Sequence, residues 1–441
     1  MINRAVAVAS LVVALGACDL LPDYLGEAEA PPLPGERISV LALERAPEPD
    51  KRIADLEVRL PRPTVNLSWP QSGGYADHAM HHIAAPGPLE KAWTVDAGEG
   101  DSEGRGLMAP PIVADGRVYT FDAESTISAH DASTGKRIWE AGALPEDEED
   151  DAFGGGIAYG SGRIFAATGV GEVIAFDASN GSEIWRVTVG APIRSSPTLS
   201  EGRLFVVSYD NQLFALSADD GRMLWTHSGI AENAQLLGTA SPAVASGLVI
   251  TAFSSGELFA LRADNGRVAW SDTLSFGTRL GASTVLSDIN GSPVIDRDRV
   301  YAVSFSGRLV AISLRTGDRL WDQEVSGVQT PWIAGDFLFL LTTDGDVLCL
   351  SRRDGRIRWV HSLPRYEDPE DREDPIYWTG PILVSDRLIV FGSNGQAVSI
   401  SPYTGRLLGR LELPDGVDLP PAVANGTVYV LTNEGDLVAL R

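Results

Sequence analysis

Three histidines stand close together near the start of the chain, at His78, His81 and His82 within "NLSWPQSGGYADHAMHH". Imidazole nitrogens are common zinc ligands, so the cluster invites a metal hypothesis. No carboxylate or cysteine cluster stands beside these histidines at a spacing that would complete a ligand set. The pattern therefore favours surface or hydrogen-bonding histidines, and we expect neither a metal nor a catalytic residue here.

Two acidic runs, "PEDEEDD" at residues 145–151 and "YEDPEDREDP" at residues 366–375, could offer oxygen ligands to calcium. Neither run has the alternating ligand pattern of a dedicated calcium loop, so solvated loops are favoured. The whole chain of 441 residues has a formal net charge of −25. Because no basic stripe is present to neutralise phosphates, this charge excludes nucleic acid as a partner.

The two cysteines, Cys18 and Cys349, have different surroundings. Before Cys18, "MINR" and the apolar run from Ala5 to Gly16 have the positive n-region and short h-region of an export signal. The stretch "LGAC" that ends at Cys18 resembles a bacterial lipobox, which predicts removal of residues 1–17 and lipid attachment to Cys18. With Cys18 acylated, Cys349 in "VLCL" has no disulfide partner and is expected to be a small buried side chain on a strand.

Most of the chain consists of one repeated motif, and the fold of this repeat determines where the histidines, acidic runs and cysteines lie. The stretch "QLFALSADDGRMLW", residues 212–225, has six close counterparts along the chain. Its alternating apolar run predicts a strand, its Asp-Gly pair allows the chain to reverse, and a second strand follows. The closing tryptophan is too large to bury within one hairpin and is predicted to pack against the next unit. Six such residues are Trp139, Trp185, Trp225, Trp270, Trp321 and Trp359.

A second recurring element precedes each hairpin, as in "SSPTLSEGRLFVVSYDN". Its proline, polar turn and apolar run predict two further strands, and a period of about 40 to 50 residues is typical of propeller blades. The chain stops at "EGDLVALR", one strand short of a blade, whereas Trp93 lies on an isolated strand near the start. We therefore predict an all-β, eight-bladed β-propeller over residues 89–441, with four antiparallel strands per blade and the N-terminal strand closing the last blade.

Residues 18–88 have another character. They are rich in proline and charge, which favours an extended tether over a packed domain. The segment of residues 66–82 is denser and is expected to lie against the propeller, with Trp69 as its anchor.

The motif Asp/Ser-x-x-Thr/Asn/Asp-Gly-x-x-x-Trp resembles the repeat of the pyrroloquinoline-quinone-type propellers. Dehydrogenases of that family carry adjacent cysteines over the quinone, and adjacent cysteines are absent from this sequence. The lipobox, short leader and eight blades with almost no insertions are similar to the BamB family, the lipoproteins of the outer-membrane β-barrel assembly machinery. The leader "LPRPTVNLSWPQSGG" looks like that of alphaproteobacterial members.

The resemblance implies a non-enzymatic scaffold without a cofactor. Its implied partners are the BamA-type barrel-assembly subunit and other components of the same complex, which the chain would join as a monomer. The implied location is the outer membrane, lipid-anchored and facing the periplasm, although Asp19 after the lipidated cysteine leaves sorting between the two membranes open. Two alternatives remain: a quinone-dependent periplasmic dehydrogenase and a general periplasmic protein-binding propeller.

The same resemblance implies partner-binding residues in two loops between blades. In "AQLLGTASP", Leu236 and Leu237 align with family contact positions, Leu237 standing where the family has arginine. In the next blade, Asp288 and Asn290 align with two family aspartates, one of them replaced by an amide. We expect these four residues to form a small contact patch on one rim. Plain turns between blades are the alternative.

Overall fold

The computed structural model describes residues 46–85, 87–102, 105–144, 154–232, 236, 238–275 and 286–441. In this part of the chain, eight four-stranded antiparallel sheets follow one another as blades, which confirms the predicted propeller. The blades, each from its innermost strand outward, are: blade 1, β2 Ile112–Ala114, β3 Arg117–Phe121, β4 Thr126–Asp131, β5 Arg137–Gly142; blade 2, β6 Gly155–Gly160, β7 Arg163–Thr168, β8 Glu172–Asp177, β9 Glu183–Thr188; blade 3, β10 Thr198–Ser200, β11 Arg203–Val207, β12 Gln212–Ser217, β13 Met223–Ser228; blade 4, β14 Ala243–Ala245, β15 Leu248–Ala252, β16 Glu257–Arg262, β17 Val268–Thr273; blade 5, β18 Val294–Asp296, β19 Arg299–Ser304, β20 Arg308–Ser313, β21 Arg319–Gln323; blade 6, β22 Trp332–Ala334, β23 Phe337–Leu341, β24 Asp346–Ser351, β25 Ile357–Ser362; blade 7, β28 Trp378–Val384, β29 Arg387–Gly392, β30 Gln396–Ile400, β31 Leu407–Glu412; blade 8, β32 Ala422–Ala424, β33 Thr427–Leu431, β34 Asp436–Leu440, β1 Lys91–Asp96.

Two smaller elements lie outside the blades. The strands β26 (Tyr366–Asp368) and β27 (Glu373–Pro375) form a hairpin between blades 6 and 7. The one helical element among the described residues is a 3-10 turn at Lys51–Ile53. No described helix has the length and apolar character needed to cross a membrane.

The ring closes as the sequence predicts. Strand β1 pairs antiparallel with β34, Trp93 facing Ala439. Beyond this pairing, Glu90 and Arg441 exchange two backbone hydrogen bonds of 2.7 and 2.9 Å. The outermost strand of blade 8 therefore comes from the other end of the chain, and the last blade has no missing strand.

Tryptophans on the outermost strands join neighbouring blades, which confirms their predicted packing role. In six blades the indole Nε1–H donates to a carbonyl of the following blade at 2.8 to 3.3 Å. The ring of Trp185 covers Gly221, where a Cβ would approach it to 2.8 Å and where φ is +71°. This turn therefore requires glycine for two reasons: the backbone has a positive φ, and the indole ring leaves no room for a side chain.

The antiparallel order of strands gives the ring two distinct faces. The first and third connections of each blade lie at one end, and a backbone bond such as Ala132 N–H to Gly116 O (3.0 Å) joins them. We call this end the turn face. The second connection and the crossing to the next blade lie at the other end, joined by bonds such as Gly229 N–H to Asn211 O at 2.8 Å. We call that end the loop face.

Residues 66–85, which we call the belt, pass once around the propeller axis at the turn face. Their hydrogen bonds reach the blades in ring order: Asn66 O with Asn425 N of blade 8 (2.7 Å), Trp69 O with Val113 N of blade 1 (2.8 Å), Pro70 O with Tyr159 N of blade 2 (2.6 Å), Gln71 Oε1 with Leu199 N of blade 3 (2.8 Å), Ala76 O with Val244 N of blade 4 (2.6 Å), Asp77 O with Ile295 N of blade 5 (2.8 Å), His81 O with Trp332 Nε1 of blade 6 (2.6 Å) and Ile83 O with Ser385 N of blade 7 (2.9 Å).

The ends of the belt meet beside blades 7 and 8. Thr64 N donates to His82 O at 2.9 Å, and Ala84 N donates to Thr64 O at 2.8 Å. Before the belt, the chain runs along blade 6, where Asp50 N donates to Ile357 O and Arg358 Nε to Leu56 O at 2.8 and 2.7 Å. The leader from residue 50 onward is thus tied to the propeller along its length.

Candidate partner interface

The belt fills hydrogen-bonding positions that an innermost strand leaves open. In blades 1 to 5 the donor is the residue two positions before the first turn of the blade, namely Val113, Tyr159, Leu199, Val244 and Ile295. These N–H groups point away from the neighbouring strand of their own sheet. An unpaired strand edge is a common docking site for an added peptide strand. At the turn face this site is occupied by the protein's own leader.

Trp69 fixes the belt, in agreement with its predicted anchoring role. Its side chain is 3% exposed and stacks on Trp332, with ring centroids 6.5 Å apart. Its backbone exchanges two hydrogen bonds with Val113, of 2.6 and 2.8 Å. Trp69 therefore joins strands of blades 1 and 6 across the axis.

Two of the three belt histidines use their rings as hydrogen-bonding groups, whereas His81 accepts through its backbone carbonyl and has Nε2 3.7 Å from Asp296 Oδ1. His78 is buried with Nδ1 2.8 Å from Pro293 O, and burial is the largest cause of a lowered pKa for its ring. The ring of His82 lies between Pro61 O at 2.7 Å and the N–H of Asp386 at 3.0 Å. In this arrangement Nδ1 donates to Pro61 O and Nε2 accepts from the N–H of Asp386. Among the described residues, no group of three His, Cys, Asp or Glu side chains is placed to hold a metal ion.

The two loops with predicted contact residues lie side by side on the loop face. The backbone N–H of Leu236, between blades 3 and 4, donates to Oδ2 of Asp288, between blades 4 and 5, at 3.0 Å. The backbone carbonyl of Asp288 accepts from Phe305 N at 2.8 Å. Leu236 and Asn290 are half-buried, whereas Asp288 is 2% exposed. Asp288 thus links two blade crossings beneath the surface.

Burial raises the pKa of Asp288 and is the largest influence on it, opposed by the Leu236 N–H bond and assisted by the nearby charge of Glu232. A carboxylate in this position is costly to ionise, because the protein offers it one backbone donor in place of water. The side chain is therefore poised to stabilise the loops rather than to meet a charged partner.

The predicted patch needs one correction. We expected the carboxylate of Asp288 to contribute to an exposed patch, but the structure buries it beneath the two loops. The described surface of the patch consists of Leu236 and Asn290. Leu237 lies outside the described residues, as do Cys18, the signal segment 1–17 and the acidic run 145–151.

Loops from opposite sides of the ring meet over the axis at the loop face. Met108, in the connection from blade 8 to blade 1, has its Cε 3.4 Å from the position that a Cβ on Gly238 would occupy. The same position lies 3.8 Å from Nδ2 of Asn290. The patch therefore adjoins the loop that carries Met108.

The acidic run at residues 366–375 forms the β26–β27 hairpin on this same face. Most of its side chains are exposed, and the carboxylate of Asp368 accepts the N–H groups of Glu370 and Asp371 at 2.9 and 3.2 Å. Tyr377, directly after the hairpin, is 67% exposed. The loop face thus presents an acidic projection beside blade 7.

Sequence reasoning placed residues 66–82 against the propeller but did not predict their circuit around the axis or the burial of Asp288. The belt bonds mainly through backbone atoms, which leave little trace in residue types. A weak signal was present in "SGGYADHAMHH", because two adjacent glycines and His78 adopt positive φ where the belt changes direction.

Comparisons with known proteins agree with this architecture. A family model described as outer membrane protein assembly factor BamB matches residues 123–361. Outer membrane protein assembly factor BamB of Shewanella oneidensis is 26% identical over 360 residues, covering 80% of this chain and 88% of that protein.

Solved structures show the same fold. The crystal structure of BamB from Moraxella catarrhalis has a TM-score of 0.68 at 20% identity, covering 80% of this chain and 100% of that one. Quinohemoprotein alcohol dehydrogenase from Comamonas testosteroni has a TM-score of 0.65 at 14% identity, covering 85% of this chain and 80% of that one. Such identities carry the fold and not the activity. The family match, which spans more than half of the sequence, shows that this chain belongs to the BamB family of outer membrane protein assembly factors.

Proposed function

We propose that this chain is a non-enzymatic scaffold of the outer-membrane β-barrel assembly machinery. It binds the BamA-type barrel-forming subunit and assists the assembly and insertion of outer-membrane β-barrel proteins, acting as a monomer within the complex. The observation that carries this proposal is the family match over residues 123–361, supported by a relative of that name aligned over 80% of the chain.

Docking takes place on the loop face, near the crossings into blades 4 and 5. The belt already occupies the inner strand edges at the turn face, so a partner there would have to displace it. On the loop face, Leu236 offers a half-buried apolar side chain beside the amide of Asn290. A small apolar centre with a polar margin is the usual composition of a protein interface.

The chain is held at the outer membrane through Cys18 and faces the periplasm. This part of the proposal rests on the lipobox and the preceding h-region of the sequence. A lipid anchor on the leader allows the folded propeller to remain in the aqueous compartment while attached to the bilayer.

Purification of the tagged full-length protein from membranes tests the proposal. A barrel-assembly subunit should co-purify at a constant ratio, identified by mass spectrometry. Dye-linked alcohol oxidation after addition of pyrroloquinoline quinone and calcium, without any co-purifying barrel subunit, would instead establish an enzyme of the dehydrogenase type.

A pair of matched variants locates the docking surface. Leu236→Glu should weaken capture of the barrel subunit at least about tenfold, roughly 1.4 kcal/mol, because it places a charge in the apolar centre. Leu320→Glu, on the outermost strand of blade 5 at 46% exposure, should leave capture unchanged. Both proteins should keep the wild-type unfolding midpoint. Equal capture by both variants would refute docking at Leu236.

A further inference from the structure

The two faces of the ring differ in charge. In the described part of the chain, the connections on the turn face contain ten acidic and nine basic residues. The described connections on the loop face, including the β26–β27 hairpin, contain eighteen acidic and four basic residues. The turn face is therefore close to neutral, whereas the loop face is strongly negative.

The leader keeps the turn face close to neutral. Its described residues 46–85 contain five acidic and four basic residues. Two of the basic residues are paired within the leader, Arg52 with Asp50 at 2.5 Å and Arg59 with Glu57 at 2.8 Å. An anionic phospholipid surface repels a strongly acidic protein face within a Debye length but does not repel a neutral one. Such a surface therefore discriminates between the two faces of this ring.

The belt exposes an apolar cluster on the turn face. Val65 and Leu67 are 62% and 71% exposed. Asn66 between them points inward, because its Nδ2 donates to Val423 O of blade 8 at 2.8 Å. The hydroxyl of Tyr75, a residue that is 42% exposed, donates to Asn66 Oδ1 at 3.0 Å. This bond places the Tyr75 ring beside Val65 and Leu67, and we call these three residues the apolar cluster of the belt.

The loop face has no comparable cluster among its described residues. Its large exposed apolar side chains in that part of the chain are Ile230 and Tyr377, which lie in two different crossings between blades. The turn face carries Tyr403 in addition to the apolar cluster, and the other exposed apolar side chains lie on or beside the outermost strands. The turn face thus combines a small net charge with exposed aliphatic and tyrosine side chains, a composition suited to a lipid–water interface.

The leader reaches the propeller at the turn face. Asp50 N donates to Ile357 O at 2.8 Å, and the Asp50 carboxylate lies 3.6 Å from Arg356 Nε. Arg356 is the last residue of the third turn of blade 6, so Asp50 lies at the turn-face end of that blade. A bilayer that holds Cys18 is therefore connected to the propeller at this face, and the connection raises the effective concentration of lipid beside it.

We propose that the turn face lies on the phospholipid surface of the bilayer that holds the lipid anchor, with the loop face directed away from it. The proposal rests on the anchor at Cys18, which belongs to the proposed function. Three apolar side chains alone give weak lipid binding, so the contact depends on the anchor to keep the two surfaces together. Repulsion between the acidic loop face and anionic headgroups disfavours the inverted orientation. The loop face is then open to a partner in the periplasm.

A fluorescent probe on either face tests the proposal with the full-length acylated protein in vesicles of phosphatidylethanolamine and phosphatidylglycerol. Nitrobenzoxadiazole is attached to Leu67→Cys on the turn face or to Tyr377→Cys on the loop face, at positions that are 71% and 67% exposed. Cys349 is buried and does not take up the label. Phospholipids with a nitroxide on the headgroup should quench the probe at position 67 and leave the probe at position 377 unquenched. Equal quenching, or stronger quenching at position 377, would overturn the proposal.

A matched pair of charge variants tests the apolar cluster. Val65→Glu, combined with the probe on Leu67→Cys, should lower the ratio of lipid-contacting to free propellers about fivefold, because it adds a carboxylate beside anionic headgroups. Ile230→Glu, at 60% exposure on the loop face, is the control for Val65 at 62% and should leave quenching at position 67 unchanged. Equal quenching in these two variants would overturn contact through the apolar cluster.

A change of lipid tests the role of charge. On vesicles of phosphatidylcholine alone, which carry no net charge, the loop face is no longer repelled, so the difference in quenching between the two probes should shrink. An undiminished difference would refute charge asymmetry as its cause.

Vesicle flotation and mass spectrometry of the N-terminal peptide separate this proposal from the anchor. An acylated chain that floats and shows equal quenching of the two probes refutes the orientation alone. A chain that lacks acylation and stays in solution refutes the anchor and the orientation together. Capture of the barrel subunit, measured in parallel, reports separately on the assembly role.

Discussion

Replacing Trp69 with alanine should release the belt from the propeller axis. The side chain is 3% exposed and stacks on Trp332 with ring centroids 6.5 Å apart, so alanine removes a buried aromatic contact between blades 1 and 6. Truncation of a buried tryptophan costs about 3 to 5 kcal/mol. The backbone bonds to Val113 can still form, so the loss comes from side-chain burial. A loss of about 3 kcal/mol increases the open population of the belt more than about a hundredfold.

Amide hydrogen exchange measures this opening. The N–H groups of Val244 and Ile295 donate to the belt carbonyls of Ala76 and Asp77, at 2.6 and 2.8 Å. They should exchange about a hundredfold faster in Trp69→Ala, although they lie in blades 4 and 5. Leu67→Ala, at 71% exposure in the same segment, is the control and should leave both rates unchanged. Wild-type rates for both amides in Trp69→Ala would refute the belt as one cooperative unit.

Three further predictions concern the closure of the propeller ring, the lipid anchor at Cys18 and the hydrogen bond that Asp288 makes between two loops. Deleting residues 434–441 removes β34, so an aggregating or protease-sensitive product is expected, whereas a soluble one with an unchanged melting temperature would contradict the closure. Cys18→Ser should move the protein to the soluble periplasmic fraction, and retention in salt-washed membranes would point to another anchor. Asp288→Asn keeps an acceptor for Leu236 N–H and removes a buried charge, so it should unfold at higher urea than the wild type near neutral pH. Because the pKa of Asp288 is raised, this difference should shrink as acid protonates the wild-type carboxyl, and a widening difference would show the opposite sign.

The blade architecture could be predicted because each blade repeats local signals. Turn residues, alternating apolar runs and a closing tryptophan act within one hairpin or between direct neighbours. The pairing of β1 with β34 followed from two incomplete motifs, one at each end of the repeats. Trp69 could be identified as an anchor because a large aromatic side chain in a polar segment needs a surface to cover it.

The belt and the site of Asp288 depend on contacts that sequence spacing does not encode. Each belt bond joins a leader residue to a strand up to hundreds of positions away, and most use backbone atoms that every residue carries. Asp288 looks like a surface carboxylate in sequence, yet the neighbouring crossing covers it through Leu236 N–H.

The belt also limits how the propeller can change in evolution or by design. The hydrogen bonds of residues 66–85 reach the eight blades in ring order, and Thr64 closes the circuit against His82 and Ala84. The contour of this segment is therefore matched to the circumference of an eight-membered ring. Duplication or loss of one repeat, the usual way in which such arrays change size, would leave every later belt contact one blade out of step. The length of the leader segment therefore has to match the number of blades, and a propeller with more or fewer blades would need a longer or shorter segment.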